Sequence, residues 1–174
     1  MSVSDSGETQ SAVEELLARE AIRRCKYRYV RCLDLKKWDD LRATLTPDAT
    51  AAYSGGGYSF GSPDEMLAFL EENMGSENFL SSHRVGQDEI EFTSATEATA
   101  VWALDDVVIR DDLGITIRGA AFYEDEYRLA DGEWRIARTT YRRVYEEIFP
   151  RTGIEGLELT ASWWGTDGRS QLAP

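Results

Sequence analysis

The stretch Ile115–Tyr145, ITIRGAAFYEDEYRLADGEWRIARTTYRRVY, decides the fold. Ala121, Tyr123, Asp125 and Tyr127 fall on one side of a period-two pattern, the chain turns through Ala130-Asp131-Gly132, and the pattern resumes at Trp134 and Ile136. Such alternation marks half-buried strands, and an Asp-Gly pair between two of them marks a hairpin. Ile115–Leu129 and Glu133–Tyr145 are therefore predicted as consecutive strands. Working backward, Asp111-Asp112-Leu113-Gly114 is a second hairpin turn, Thr99–Arg110 the strand before it, and Ile90 and Phe92 begin another. Parity puts Trp102, Leu104 and Asp106 on one face. Of the adjacent carboxylates Asp105 and Asp106, register with Trp102 selects Asp106 as the inward one.

Upstream of His83 the period becomes helical. Ser11 and Glu14 suit a capping box, and Val13, Leu16, Leu17, Ile22, Cys25 and Tyr29 recur at near-helical spacing to about residue 33. Arg19, Glu20, Arg23, Arg24, Lys26 and Arg28 are assigned to the polar side. Trp38, Leu41 and Leu45 predict a second, shorter helix that stops at Thr46-Pro47-Asp48, because the residue before proline is pushed out of the helical region. Ala49–Tyr53 follows as a short strand. Gly55-Gly56-Gly57 lacks the Gly-Lys-Ser/Thr of a phosphate loop and is assigned to a turn. Ser62-Pro63-Asp64-Glu65 opens a third helix with a cap, a proline at its first position and a reciprocal acidic residue. Helices first and an antiparallel meander after is the α+β pattern. Residues 1–10 are expected as a flexible N-terminus, 11–148 as one domain, and 149–174 as a C-terminal extension that docks through Trp163-Trp164 on its own domain or a neighbouring subunit.

The 174 residues suffice for one buried core. A net charge of −13 argues against nucleic acid or an anionic membrane surface as partner, since both would repel it. No apolar run approaches the roughly 20 residues that span a bilayer, and Met1–Gln10 is polar, so a cytoplasmic protein is expected. Cys25 and Cys32 stand two turns apart on one predicted helix, too far to bridge, and are expected as free thiols of a reducing compartment. With His83 the one histidine and no cysteine pair at ligand spacing, neither metal nor cofactor is expected.

His83, Tyr29, Asp34 and Asp106 are what a cofactor-free acid/base site needs: a group titrating near neutrality, a hydroxyl donor, and carboxylates to orient and charge the ring. An inward carboxylate on an apolar strand is costly unless paired, which sets Asp106 apart. Arg142 shares parity with Trp134 and Ile136, absent a bulge, and is expected to neutralise Asp106 or bind a substrate oxygen. Tyr53, Trp102, Tyr123 and Tyr127 are expected to wall the pocket. Alternation splits Glu124-Asp125-Glu126 across two faces, which disfavours a metal there.

Tyr29…Asp34-Leu35-Lys36-Lys37-Trp38-Asp39-Asp40-Leu41…Leu45-Thr46-Pro47-Asp48-Ala49, Trp102-Ala103-Leu104-Asp105-Asp106 and Tyr123-Glu124-Asp125-Glu126-Tyr127 with Asp131-Gly132-Glu133-Trp134-Arg135-Ile136 together resemble SnoaL-like proteins of the nuclear transport factor 2 superfamily. The resemblance covers about residues 12–145 and is greatest to the scytalone dehydratase and bile-acid 7α-dehydratase branch. It implies a cone-shaped α+β barrel, a curved antiparallel sheet wrapped around N-terminal helices to leave an apolar pocket. It also implies catalytic roles for Tyr29, Asp34, His83 and Asp106. Scytalone dehydratase has a second catalytic histidine that this chain lacks, so the bile-acid arrangement fits better. The expected function is a cofactor-independent, dehydratase-type lyase acting on a small hydrophobic oxygenated ring compound such as a steroid, polyketide or lignin-derived aromatic. A carbon–carbon lyase or isomerase using the same pocket, a non-catalytic ligand-binding or assembly module, and the small subunit of a ring-hydroxylating oxygenase are the alternatives. A homodimer or homotrimer is expected.

Overall fold

The computed structural model describes residues 3–172. Helix α1 runs Val3–Asp34, α2 Trp38–Arg42, strand β1 Leu45–Tyr53, β2 Tyr58–Phe60, helix α3 Pro63–Met74, and then β3 Phe79–Ser94, β4 Glu97–Arg110, β5 Ile115–Ala130 and β6 Glu133–Pro150. Six strands form one open sheet in the order β2-β1-β6-β5-β4-β3. All neighbouring pairs are antiparallel except β1 with β6, which run parallel. This mixed, curved, unclosed sheet behind N-terminal helices is the nuclear transport factor 2-like architecture expected from the sequence, with the parallel pair as a departure from an all-antiparallel sheet.

Several elements differ in extent from the sequence reading. Residues 1 and 2 of the expected flexible start lie outside the described residues, and the backbone is already helical from Val3, so Ser11 and Glu14 sit inside α1 rather than at a cap. Leu45 belongs to β1, not α2, because its N-terminal neighbour Thr44 ends the helical turn by donating its own N–H and hydroxyl to Leu41 O. His83 lies within β3, several residues after its start, and β6 continues to Pro150. The start of α3 is as read: Ser62 Oγ accepts from Glu65 N–H, while the Glu65 carboxylate accepts from Gly61 N–H.

The core lies between α1, α3 and the concave face of the sheet. Ile22, Cys25, Tyr29, Val30 and Leu33 of α1 meet Trp102, Leu104, Tyr123 and Ile136, with Met66, Leu67 and Leu70 of α3 closing one side. Edge strand β3 is covered by polar side chains of α1 rather than by another strand. Arg19 donates to Ile90 O and Asp34 accepts from His83 N–H, while just beyond the helix Lys36 donates to Phe79 O. Satisfying an open edge in this way removes a template for pairing with other chains, and it fixes the height at which Asp34 meets β3.

Candidate active site

Asp34 ends α1, and its carboxylate holds His83 twice. Oδ2 accepts from the His83 backbone N–H at 2.9 Å, while Oδ1 lies 2.6 Å from the ring Nδ1 and accepts from Ser81 Oγ at 2.8 Å. A carboxylate can only accept, so Nδ1 carries a proton, and in the neutral form of the ring Nε2 is the basic nitrogen. Burial acts to raise the Asp34 pKa, but the hydrogen bonds and charge of the His83 ring, with those of the His83 backbone and Ser81, outweigh it and hold the carboxyl below its ordinary value. It stays ionised.

Asp106 stands directly opposite His83 in the β3–β4 register, and its side chain is 1% exposed. Its two oxygens take both terminal nitrogens of Arg143: Nη1 bonds Oδ1, and Nη2 bonds Oδ2 at 2.9 Å. Arg143 Nε also lies 3.2 Å from Glu146. Burial would lower the Arg143 pKa, yet the Asp106 partnership more than offsets this, so the guanidinium stays charged. To reach Asp106 from β6, Arg143 must cross β5, and it does so over Gly119, the residue opposite Asp106. A Cβ on Gly119 would lie 3.0 Å from Arg143 Nη1 and 2.5 Å from Tyr145 O.

His83, Asp106 and Arg143 face a cavity of about 100 Å³ whose other walls include Tyr29, Tyr53, Tyr123 and Tyr141 with Leu33, Phe69, Leu70, Met74 and Leu104. The Tyr29 and Tyr53 hydroxyls bond each other at 2.9 Å. Tyr141 packs between Tyr53 and Tyr123, with ring centroids 5.5 and 5.7 Å away, and its hydroxyl lies 3.2 Å from Ser54 Oγ. Burial raises the pKa values of Tyr29, Tyr53 and Tyr123, so these phenols remain protonated donors. A larger cleft of about 560 Å³ lies between α1 and the β5–β6 hairpin. It opens to solvent and contains none of the acid/base residues, whereas the small cavity contains Tyr29, His83 and Asp106.

Four side chains named from the sequence therefore come together, Asp34 touching the cavity through His83. Tyr53 and Tyr123 also line it. Trp102 and Tyr127 do not: Trp102 is buried edge-on to Tyr27, and Tyr127 donates to Asp125 at 2.9 Å beneath α1. Arg142 is exposed and points away. Its neighbour Arg143 takes the place assigned to it because β6 carries an extra residue, Ala137, between Ile136, paired with Tyr127, and Arg138, paired with Glu126. One inserted residue inverts the parity of everything after it. Lys26 is a second correction: placed on the polar side of α1 by pattern, it is fully buried, with Nζ 2.7 Å from Asp125 Oδ2. Arg143, Tyr141 and Lys26 were missed. The available signals were the inward parity of Asp125, which demands a buried cation, and the adjacent arginines at 142 and 143, either of which could turn inward. Among the described residues no group of three or more His, Cys, Asp or Glu is placed to hold a metal ion.

A SnoaL-like domain is matched over residues 14–140. An uncharacterised protein of Mycobacterium tuberculosis is 25% identical over 139 residues, 79% of this chain and 92% of the relative. Among solved structures, a protein of Novosphingobium aromaticivorans provisionally named a scytalone dehydratase superposes with a TM-score of 0.71 at 22% identity, covering 78% of this chain and 90% of that one. A hexachlorocyclohexane dehydrochlorinase of Novosphingobium barchaimii gives 0.69 at 21%, covering 84% and 99%.

Proposed function

The chain belongs to the SnoaL-like domain family, and on that premise we propose that its tyrosine-lined cavity is the active site of a cofactor-independent lyase that eliminates a leaving group from a small ring compound. The observation that carries this is the His83–Asp34 pair set opposite the Asp106–Arg143 pair in one apolar, tyrosine-lined cavity. His83 Nε2 takes the proton from a carbon next to a carbonyl or phenol. The C–H electrons form the new double bond as the neighbouring C–O bond breaks, and the departing hydroxyl takes a proton to leave as water. Asp34 orients the imidazole and stabilises the imidazolium that forms. Tyr29 is the donor for the leaving group, and Arg143 with the Asp106 carboxylate sets a fixed charge pair beside the reacting atoms. Both named structural neighbours are called after eliminating enzymes, which favours this reaction over the alternatives.

A volume of about 100 Å³ narrows the substrate. Ligand sites for larger molecules run to about 300–1,000 Å³, while an apolar cavity of roughly 150 Å³ takes benzene. The cavity taken alone suits one ring better than a steroid skeleton, and a more open hollow of about 500 Å³ reaches Asp34 and His83 from the other side. The test is a panel of hydroxylated or halogenated single-ring compounds read for conjugated product by ultraviolet absorbance and mass. Turnover that falls about a hundredfold or more in His83→Ala supports the lyase. Binding without turnover of any compound supports a ligand-binding module instead, and a shifted double bond with no loss of mass supports an isomerase.

Assembly and location are part of the same reading. Val107 and Phe122 on the outer face of the sheet, and Val13, Leu16 and Leu17 on the first half of α1, are exposed apolar side chains that a second copy would cover. Trp164 of the C-terminal extension lies with its ring centroid 3.8 Å from Lys36 Nζ, which supports docking of this segment on its own domain. No helix among the described residues is long and apolar enough to cross a membrane. Cys25 and Cys32 are both free, which fits the cytoplasm.

A further inference from the structure

Lys26 Nζ lies 2.7 Å from Asp125 Oδ2 with both side chains fully buried; burial lowers the Lys26 pKa, and the Asp125 carboxylate works against that by favouring the ammonium. Asp125 is also satisfied by Thr139 Oγ1 at 2.7 Å and by the Tyr127 hydroxyl at 2.9 Å. Stability does not call for charge here, because well-packed apolar residues of the same volume commonly replace a buried pair at no loss. The position of the ammonium is more informative. Lys26 Nζ lies 3.4 Å from the centroid of the Tyr123 ring and 5.1 Å from that of Tyr29. Lys26 does not line the cavity, whereas Tyr123 does.

Resting on the lyase reading, we propose that Tyr123 is the hydroxyl that donates to the substrate's oxygen, and that Lys26, held by Asp125, is the positioning residue that strengthens it. Of the four cavity-lining tyrosines, Tyr123 alone has a hydroxyl with no hydrogen-bond partner among the described residues. The Tyr29 and Tyr53 hydroxyls are bonded to each other, and that of Tyr141 lies against Ser54. A cation on the face of an aromatic ring draws on its π density. For a phenol this makes the O–H a stronger donor and eases negative charge gathering at the oxygen it bonds. Such a donor is most effective when it is preorganised and out of water, as Tyr123 is at 3% exposure. Asp125 supplies the countercharge from the far side, where Tyr127 and Thr139 hold it in place. Tyr29 serves the leaving group where Tyr53 donates the bond the two share, which leaves the Tyr29 proton available.

The probe is 4-nitrophenol, a single ring with one phenol oxygen, whose absorbance separates its neutral and ionised forms. Wild-type protein is expected to bind it and to hold a larger ionised fraction than free solution at the same pH. Tyr123→Phe, which removes one oxygen, should weaken binding about tenfold or more. Lys26→Met, which keeps length and removes charge, should lower the bound ionised fraction toward that of free probe, and Lys26→Arg should restore most of it. Circular dichroism and melting confirm that each variant is folded. A merely structural Lys26 would change the melt and leave the ionised fraction alone. Wild-type affinity in Tyr123→Phe overturns the donor role even where Lys26→Met fails to fold, and an unchanged ionised fraction in folded Lys26→Met overturns the role of Lys26. Failure of the wild type to bind the probe also overturns the donor role. The lyase reading is judged separately, by turnover on the ring panel and its loss in His83→Ala.

Discussion

Asp34 gives one carboxylate to both the ring and the backbone of His83, so the imidazole is fixed in tautomer and in height at once. Its carboxyl is held below the ordinary value of 3.8. A depressed acid contributes stability that is present above the unfolded pKa and lost as the pH falls through the folded one. Asp34→Asn is therefore expected to cost about 1.5–3 kcal/mol at neutral pH, the scale of a hydrogen bond to a charged group. The difference from wild type should shrink below about pH 4, and urea unfolding on both sides of that pH checks it. Lys36, two residues on, is the second titrating group near the site. Burial lowers its pKa to about 8, against the raising influence of Asp34 and Glu77. Because the folded value lies below the unfolded 10.5, this group's contribution to stability rises with pH between the two. Over the same change the ammonium 3.8 Å from the Trp164 ring loses its charge. Tryptophan fluorescence should change with a midpoint near pH 8, and the change should be absent in Trp164→Phe and in Lys36→Met.

At the scale of single elements, β6 decides the site by its irregularities. The extra residue Ala137 turns Tyr141 and Arg143 inward, and a second extra residue, Val144, sits between Arg143, paired with Ala121, and Tyr145, paired with Ala120. Arg143 thus lies between two bulges, irregularities that bend a strand and re-aim its side chains. Gly119 on β5 supplies the gap that Arg143 crosses. Gly119→Ala should push a methyl group against Arg143 and the Tyr145 carbonyl, cost about 1–3 kcal/mol in overpacking, and loosen the Arg143–Asp106 pair. Chemical denaturation gives the first quantity. Ring-panel turnover gives the second, and a variant of unaltered stability and turnover would show that Arg143 does not need this path.

For the whole molecule, exposed Val107 and Phe122 on the back of the sheet lead to the expectation that Phe122→Glu lowers the mass measured by light scattering to that of one chain, while the wild type is larger. A wild type that is already monomeric would remove the second copy from the account. What was legible without coordinates was set by period within single elements. The second half of the α1 stripe, Ile22, Cys25 and Tyr29, the Ser62 cap, the two hairpin turns and the inward set Trp102, Leu104, Asp106 all follow from local spacing and turn chemistry, whereas Val13, Leu16 and Leu17 of the same stripe stay exposed. Tertiary structure alone decided which atoms meet. Arg143 replaced Arg142 because a bulge is fixed by the match of two strands and the curvature of the sheet, and the residues of β6 carry no mark of it. Lys26 was buried because Asp125, far along the chain, faces it across the core. The parallel β1–β6 pair and the volume of the cavity likewise depend on how distant segments pack. Periodicity belongs to one segment, whereas a site is a set of distances between several.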